Sequence, residues 1–118
     1  MNKNEIYIKT GTQYKEMTKA LLTQCNLAAQ ISDTDMQIGI KPNLVSPSEA
    51  SWGATTHPEI VAGIIEYLQE NGYRKIAVLE GSWVGDKTTE AYEVCGYREL
   101  SERYQVPFWD MQKDKGIE

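Results

Sequence analysis

Apolar and polar residues along the chain follow two rhythms, and the switches between them mark out the elements. Glu5-Ile6-Tyr7-Ile8-Lys9 alternates with a period of two and is rich in β-formers, which predicts a short strand. Thr10-Gly11-Thr12 breaks it. From Gln13 to about Gln30 the apolar positions Tyr14, Met17, Leu21, Cys25 and Ala28 fall three and four apart, the spacing of one helical face, with Thr12 as the expected cap. Ser32-Asp33-Thr34-Asp35 is a polar turn, and Met36-Gln37-Ile38-Gly39-Ile40 a second strand.

A second helix is expected from His57 or Pro58. Thr56-His57-Pro58-Glu59 combines a Thr and a Glu three apart with a proline in the first turn, the pattern of a capping box. Ile60, Val61, Ile64, Ile65 and Leu68 form its buried stripe, and Asn71-Gly72 its left-handed stop. Lys75-Ile76-Ala77-Val78-Leu79-Glu80 is a near-continuous apolar run, as in a strand covered on both faces. After the loop Gly81-Ser82-Trp83-Val84-Gly85-Asp86, Thr88 or Thr89 caps a helix through Val94. Gly96 interrupts it, and residues 97–104 resume the pattern with Leu100 inward. Pro107-Phe108-Trp109-Asp110-Met111 is the last strand.

Strands alternating with helices imply right-handed crossovers and a mainly parallel sheet. The expected architecture is therefore α/β: an open, mainly parallel four-stranded sheet with helices packed on its faces in three layers. At 118 residues the chain forms one α/β domain, or a fragment of a longer one.

Composition narrows the partners. A net charge of -5 and a pI near 4.9 argue against nucleic-acid and anionic-membrane surfaces, both of which select basic faces. The start of the chain has no apolar core run and reads as neither signal peptide nor anchor, so the expected location is cytoplasmic. Cys25 and Cys95 have no partner at metal-motif spacing and read as small core residues. Trp52, Trp83 and Trp109 read as core or loop-packing residues, with Trp52 and Trp83 able to wall a pocket.

In an open parallel sheet, ligands bind beyond the carboxyl ends of the strands. This places Lys41, Asn43, Thr55, Thr56 and His57 on one edge with Glu80, Ser82 and Asp110. The helix start near Pro58 offers unpaired N–H groups to a phosphate or carboxylate, and Lys41 offers countercharge. Equally, Thr55 and Thr56 serve as simple caps in a site-free molecule. His57 is either a general acid or base or a polar residue local to the cap. Glu80 and Asp110 are carboxylates at neighbouring strand ends, able to hold Mg²⁺ or orient a lysine, or simply to end apolar runs in water. Gly81, Lys87 and Thr88 stand at the register of a phosphate-binding loop, but the second glycine is one place early and Asp86 stands where a carboxylate repels phosphate.

Ile40-Lys41-Pro42-Asn43-Leu44-Val45, Ala54-Thr55-Thr56-His57-Pro58-Glu59-Ile60-Val61 and Leu79-Glu80-Gly81-Ser82, with Thr89-Glu90-Ala91-Tyr92 and Gly96-Tyr97, resemble a bacterial and archaeal family, domain of unknown function 362. Some members resemble iron–sulfur proteins through a cysteine module elsewhere in the chain. The resemblance implies such a cluster only where that module exists; this sequence lacks it. A more distant likeness is to the N-terminal domain of nickel-pincer lactate racemases, which implies a pocket lined by the loops at residues 41–58 and 80–85. The Asp-x-Thr-Arg signature of those enzymes is not present, and the likeness speaks to fold rather than chemistry.

Two functional expectations follow. One is an enzyme domain that binds an anionic small molecule or cofactor on the carboxyl edge of the sheet. The other is an accessory module of an iron–sulfur or redox protein, docking a redox partner or a second copy of itself without its own catalysis.

Overall fold

The computed structural model describes residues 4–43, 56–80 and 96–110, and of Glu80 and Asp110 the backbone. The described elements are α1 (Tyr14–Cys25), a short 3-10 helix η1 (Leu27–Gln30), β1 (Ile38–Ile40), α2 (Pro58–Glu70), β2 (Ile76–Glu80), α3 (Tyr97–Tyr104) and β3 (Phe108–Asp110). The strands form a parallel sheet in the order β1-β2-β3, with Ile40 opposite Val78 and Glu80 opposite Asp110.

That order decides where the helices go. Both crossovers step in the same direction across the sheet, so connections of one hand put α2 and α3 on the same face. The core agrees. Ile40, Ile76 and Val78 pack with Val61, Ile65 and Leu68 of α2 and with Tyr97 and Leu100 of α3, while Leu22 of α1 and Leu27 of η1 lean on the same cluster. The opposite face carries Gly39, Ala77, Leu79 and Trp109 by the strand register. Helices on both faces are thus not what the described residues form; Trp109, expected to be a packing residue, is 49% exposed on that second face. Trp52, Trp83, Cys95 and the expected helix through Val94 lie outside the described residues.

The expected strand at Glu5–Lys9 is not among the described strands. The described sheet does not include the segment, whose Ile6 and Ile8 are exposed and Tyr7 half-buried. The helix expected from Gln13 to Gln30 stops at Cys25, because Asn26 enters the left-handed region at φ 54° and the chain tightens into η1. Hydroxyls from the second helix and its exit fix this break. The Ala28 N–H donates to the Tyr67 hydroxyl at 2.9 Å, and the Tyr73 hydroxyl donates to the Ile31 carbonyl while lying 3.1 Å from that of Ala28. Thr12 does not cap α1; the N-cap residue is Gln13, without a side-chain cap. Cys25 is half-buried, its thiol 3.5 Å from the Leu22 carbonyl.

Helices α1 and α2 approach closely at Gly63, where a Cβ would lie 2.7 Å from the Lys15 carbonyl oxygen. Only glycine allows this contact without moving backbone. The end of α2 follows the predicted stop: Gly72 has φ +89°, its N–H donates to the Gln69 carbonyl at 3.1 Å, and the Tyr73 N–H donates to Leu68 at 3.0 Å. This is a Schellman motif, closed by apolar contact between buried Leu68 and Tyr73. Gly96, expected to interrupt a helix, is the N-cap of α3 at φ +82°. Among the described residues no helix is long and apolar enough to cross a membrane.

Candidate functional site

Parallel strands end at one edge, which gathers part of the expected constellation. Lys41 follows the last residue of β1, and Glu80 and Asp110 are the last residues of β2 and β3 and register partners. Thr55, Ser82 and the side chains of Glu80 and Asp110 lie outside the described residues. The described strands run in sequence order with no reversal, so no switch-point crevice forms between them. The edge has to draw its polar groups from strand exits and from the start of α2.

Those two places are tied together by Thr56. Its N–H donates to the Asn43 carbonyl at 2.9 Å, its hydroxyl accepts the Asn43 N–H at 2.8 Å, and its carbonyl accepts the Tyr97 hydroxyl at 2.9 Å. Tyr97 is fully buried, so α3 holds this turn from below. The residues 44–55 leave and return through a clasp of two hydrogen bonds. Thr56 therefore does not cap α2 as expected: its hydroxyl has been taken by the exit of β1. The N-cap position falls to His57, with extended backbone (φ -63°, ψ 132°) and no side-chain cap. Pro58 stands at the start of the helix as expected.

His57 is placed by contacts that the sequence pattern does not contain. Its ring lies against Tyr14 of α1, centroids 4.5 Å apart, and Nδ1 is 4.0 Å from the Glu59 carboxylate. Glu59 complements the positive end of the α2 dipole. The same charge opposes an incoming anion there; Lys41, at the exit of β1, is exposed.

A second polar cluster went unpredicted. Lys15 and Lys19 of α1 reach Glu66 of α2, each at 3.1 Å, and Lys19 also reaches Glu70 at 2.8 Å. Tyr104 of α3 donates its hydroxyl to Glu66. That hydroxyl, with the two ammonium groups beside it, holds the Glu66 carboxyl down at about 2. Burial, and then the neighbouring carboxylate, raise the Tyr104 phenol. The available signal was two pairs at i, i+4, Lys15/Lys19 and Glu66/Glu70, matching in spacing and opposite in sign. All partners are satisfied within the cluster, which fits a bolt between three helices rather than a ligand site.

An apolar groove of about 650 Å³ runs beside α1 and the first half of α2, walled by Tyr14, Met17, Leu21, Leu22, Ile60 and Ile64. None of the expected polar residues lines it.

Fold and edge together define an open parallel α/β domain whose strand exits and one helix start are clasped side by side. The chain belongs to the DUF362 family: the family model, described as a domain of unknown function, matches residues 38–118 and so takes in all three described strands. Neither a curated protein nor a solved structure matches the chain at a significant level. The distant likeness to the racemase domain accordingly rests on sequence pattern alone.

Proposed function

We propose that the domain binds an anionic small molecule or cofactor at the carboxyl edge of its sheet, as part of an enzyme. The clasp between Asn43 and Thr56 is the observation that carries this reading. It fixes the exit of β1 against the start of α2, so Lys41 and the first-turn N–H groups of the helix stand in a constant relation. In the proposed site Lys41 supplies charge, Asn43 and Thr56 set the loop, His57 offers a ring nitrogen near the helix start, and Thr55, Ser82, Glu80 and Asp110 complete the rim. Preorganisation of this kind lowers the ordering cost of binding.

A thermal-shift panel of inorganic phosphate, nucleotides and hydroxy acids tests it. A ligand at a hundredfold excess over its Kd adds about 2.7 kcal/mol, which is several degrees for a domain of this size. At least one anion is expected to raise the midpoint, and Lys41→Ala to abolish that rise, measured from the variant's own unliganded midpoint. No shift from any anion sinks the proposal and leaves the docking-module reading in its place.

A further inference from the structure

The apolar groove between α1 and α2 takes no part in the carboxyl edge. Met17 and Leu21 of α1 and Ile60 of α2 line it, half-buried side chains that stand outside the core cluster. Residues 9–11 join the lining, and Gly11 brings them close: its φ is +146°, and a Cβ there would lie 3.1 Å from the Met17 Sδ. Small-molecule pockets are typically apolar, about 300–1,000 Å³ in volume, with a few polar groups that fix the ligand's orientation. At about 650 Å³ this groove has that size and that balance.

The polar groups of the lining indicate the kind of ligand. The Thr18 hydroxyl is taken, donating to the Tyr14 carbonyl at 2.7 Å. Lys9 and Thr10 are exposed, and among the described residues neither side chain is engaged in a hydrogen bond or ion pair. Lys9 is the one charged residue among the lining residues, a cation in a chain of net charge -5. An apolar trough with a single cation on its rim is complementary to a molecule with an apolar body and one negative charge. From Tyr14 to Leu21, α1 runs two turns, about 10 Å, the span of an extended tail of roughly eight carbons.

We propose that the groove binds a free medium-chain fatty carboxylate, its alkyl tail between α1 and α2 and its carboxylate on Lys9, with the Thr10 hydroxyl donating beside it. The site is independent of the carboxyl edge, since neither Lys41 nor any other residue of that edge lines it.

Calorimetric titration of the full chain with hexanoate, octanoate and decanoate, each below its micelle concentration, tests the tail. Affinity should rise up to about fourfold per added methylene while the groove fills. No binding, or affinity that ignores tail length, overturns the proposal. Decyltrimethylammonium tests the head: it should bind more weakly than decanoate, and Lys9→Glu should erase or reverse that preference. Equal binding of the two, or a preference that Lys9→Glu leaves in place, overturns it. Lys41→Ala should leave decanoate affinity unchanged; loss of binding in that variant moves the anion to the carboxyl edge and overturns the groove. Sedimentation that shows a dimer broken by Leu21→Glu gives the groove to a second copy, with the same consequence. The tail series and the ammonium comparison need only the unmodified chain, so they decide the matter should a variant fail to fold.

Discussion

The two ends of α2 were announced equally clearly by the sequence, and only one of them formed as announced. At the carboxyl end, Asn71-Gly72 gave the left-handed stop with both hydrogen bonds of the motif in place. At the amino end, Thr56 and Glu59 stood at capping-box spacing, yet Thr56 turned its hydroxyl to Asn43 and left the cap to His57. The difference is one of competition. The stop draws on residues within six positions of one another, and no distant group can satisfy those carbonyls better. The start lies beside another strand's exit, and a backbone N–H thirteen residues earlier won the hydroxyl.

Breaking the carboxyl end has the larger effect. Gly72→Ala forces a Cβ into a left-handed position, at about 1–2 kcal/mol, although the nearest atom, Thr34 Cγ2, is 3.8 Å from the new carbon. A urea midpoint lowered with unchanged slope is the expected reading, and an unchanged midpoint would show that the helix ends elsewhere.

The middle of the helix responds to acid. The folded pKa of Glu66 is depressed to about 2 from 4.5, so its contribution is present above pH 4.5 and is lost as pH falls through about 2. Removing the carboxylate in Glu66→Gln should flatten the loss of thermal midpoint in this window. An acid profile identical to that of the unmodified chain would mean the bolt between α1, α2 and α3 does not form.

The amino end is tested by Thr56→Val and Tyr97→Phe. Each removes one hydrogen bond made by Thr56, to Asn43 or to Tyr97, at about 1 kcal/mol, while Thr56→Ser should stay close to the original. Because both variants loosen the same turn, their costs should combine non-additively. The smallest effect separates cap from clasp. Glu59→Ala should change stability by only a few tenths of a kcal/mol through the helix dipole, since Thr56 does not complete a capping box. It should also tighten any anion bound at that end. A loss of about 1 kcal/mol would restore the capping box.

Much of the fold was readable wherever a single period held over a whole element. The apolar stripe of α2, the run in β2 and the helical pattern ending at Tyr104 each stand within a few residues of their expected limits. The candidate site was readable only in outline. Lys41, Glu80 and Asp110 reach one edge because parallel strands end together, but the contact of Tyr14 with His57 spans two elements and left no local trace. The capping-box spacing of Thr56 pointed to a different partner from the one it has.

What the sequence determined by itself is the kind and order of the elements, because hydrophobic period, glycine and proline act within a few residues of their own position. It also carries the family membership. Tertiary structure decided three things that depend on distant partners: that the described helices share one face of the sheet, that the long first helix breaks at Asn26 under the hydroxyls of Tyr67 and Tyr73, and that Thr56 binds the exit of β1 instead of capping a helix. A hydrogen-bonding group takes whichever partner the assembled fold brings nearest, and that neighbour is set by topology rather than by spacing along the chain.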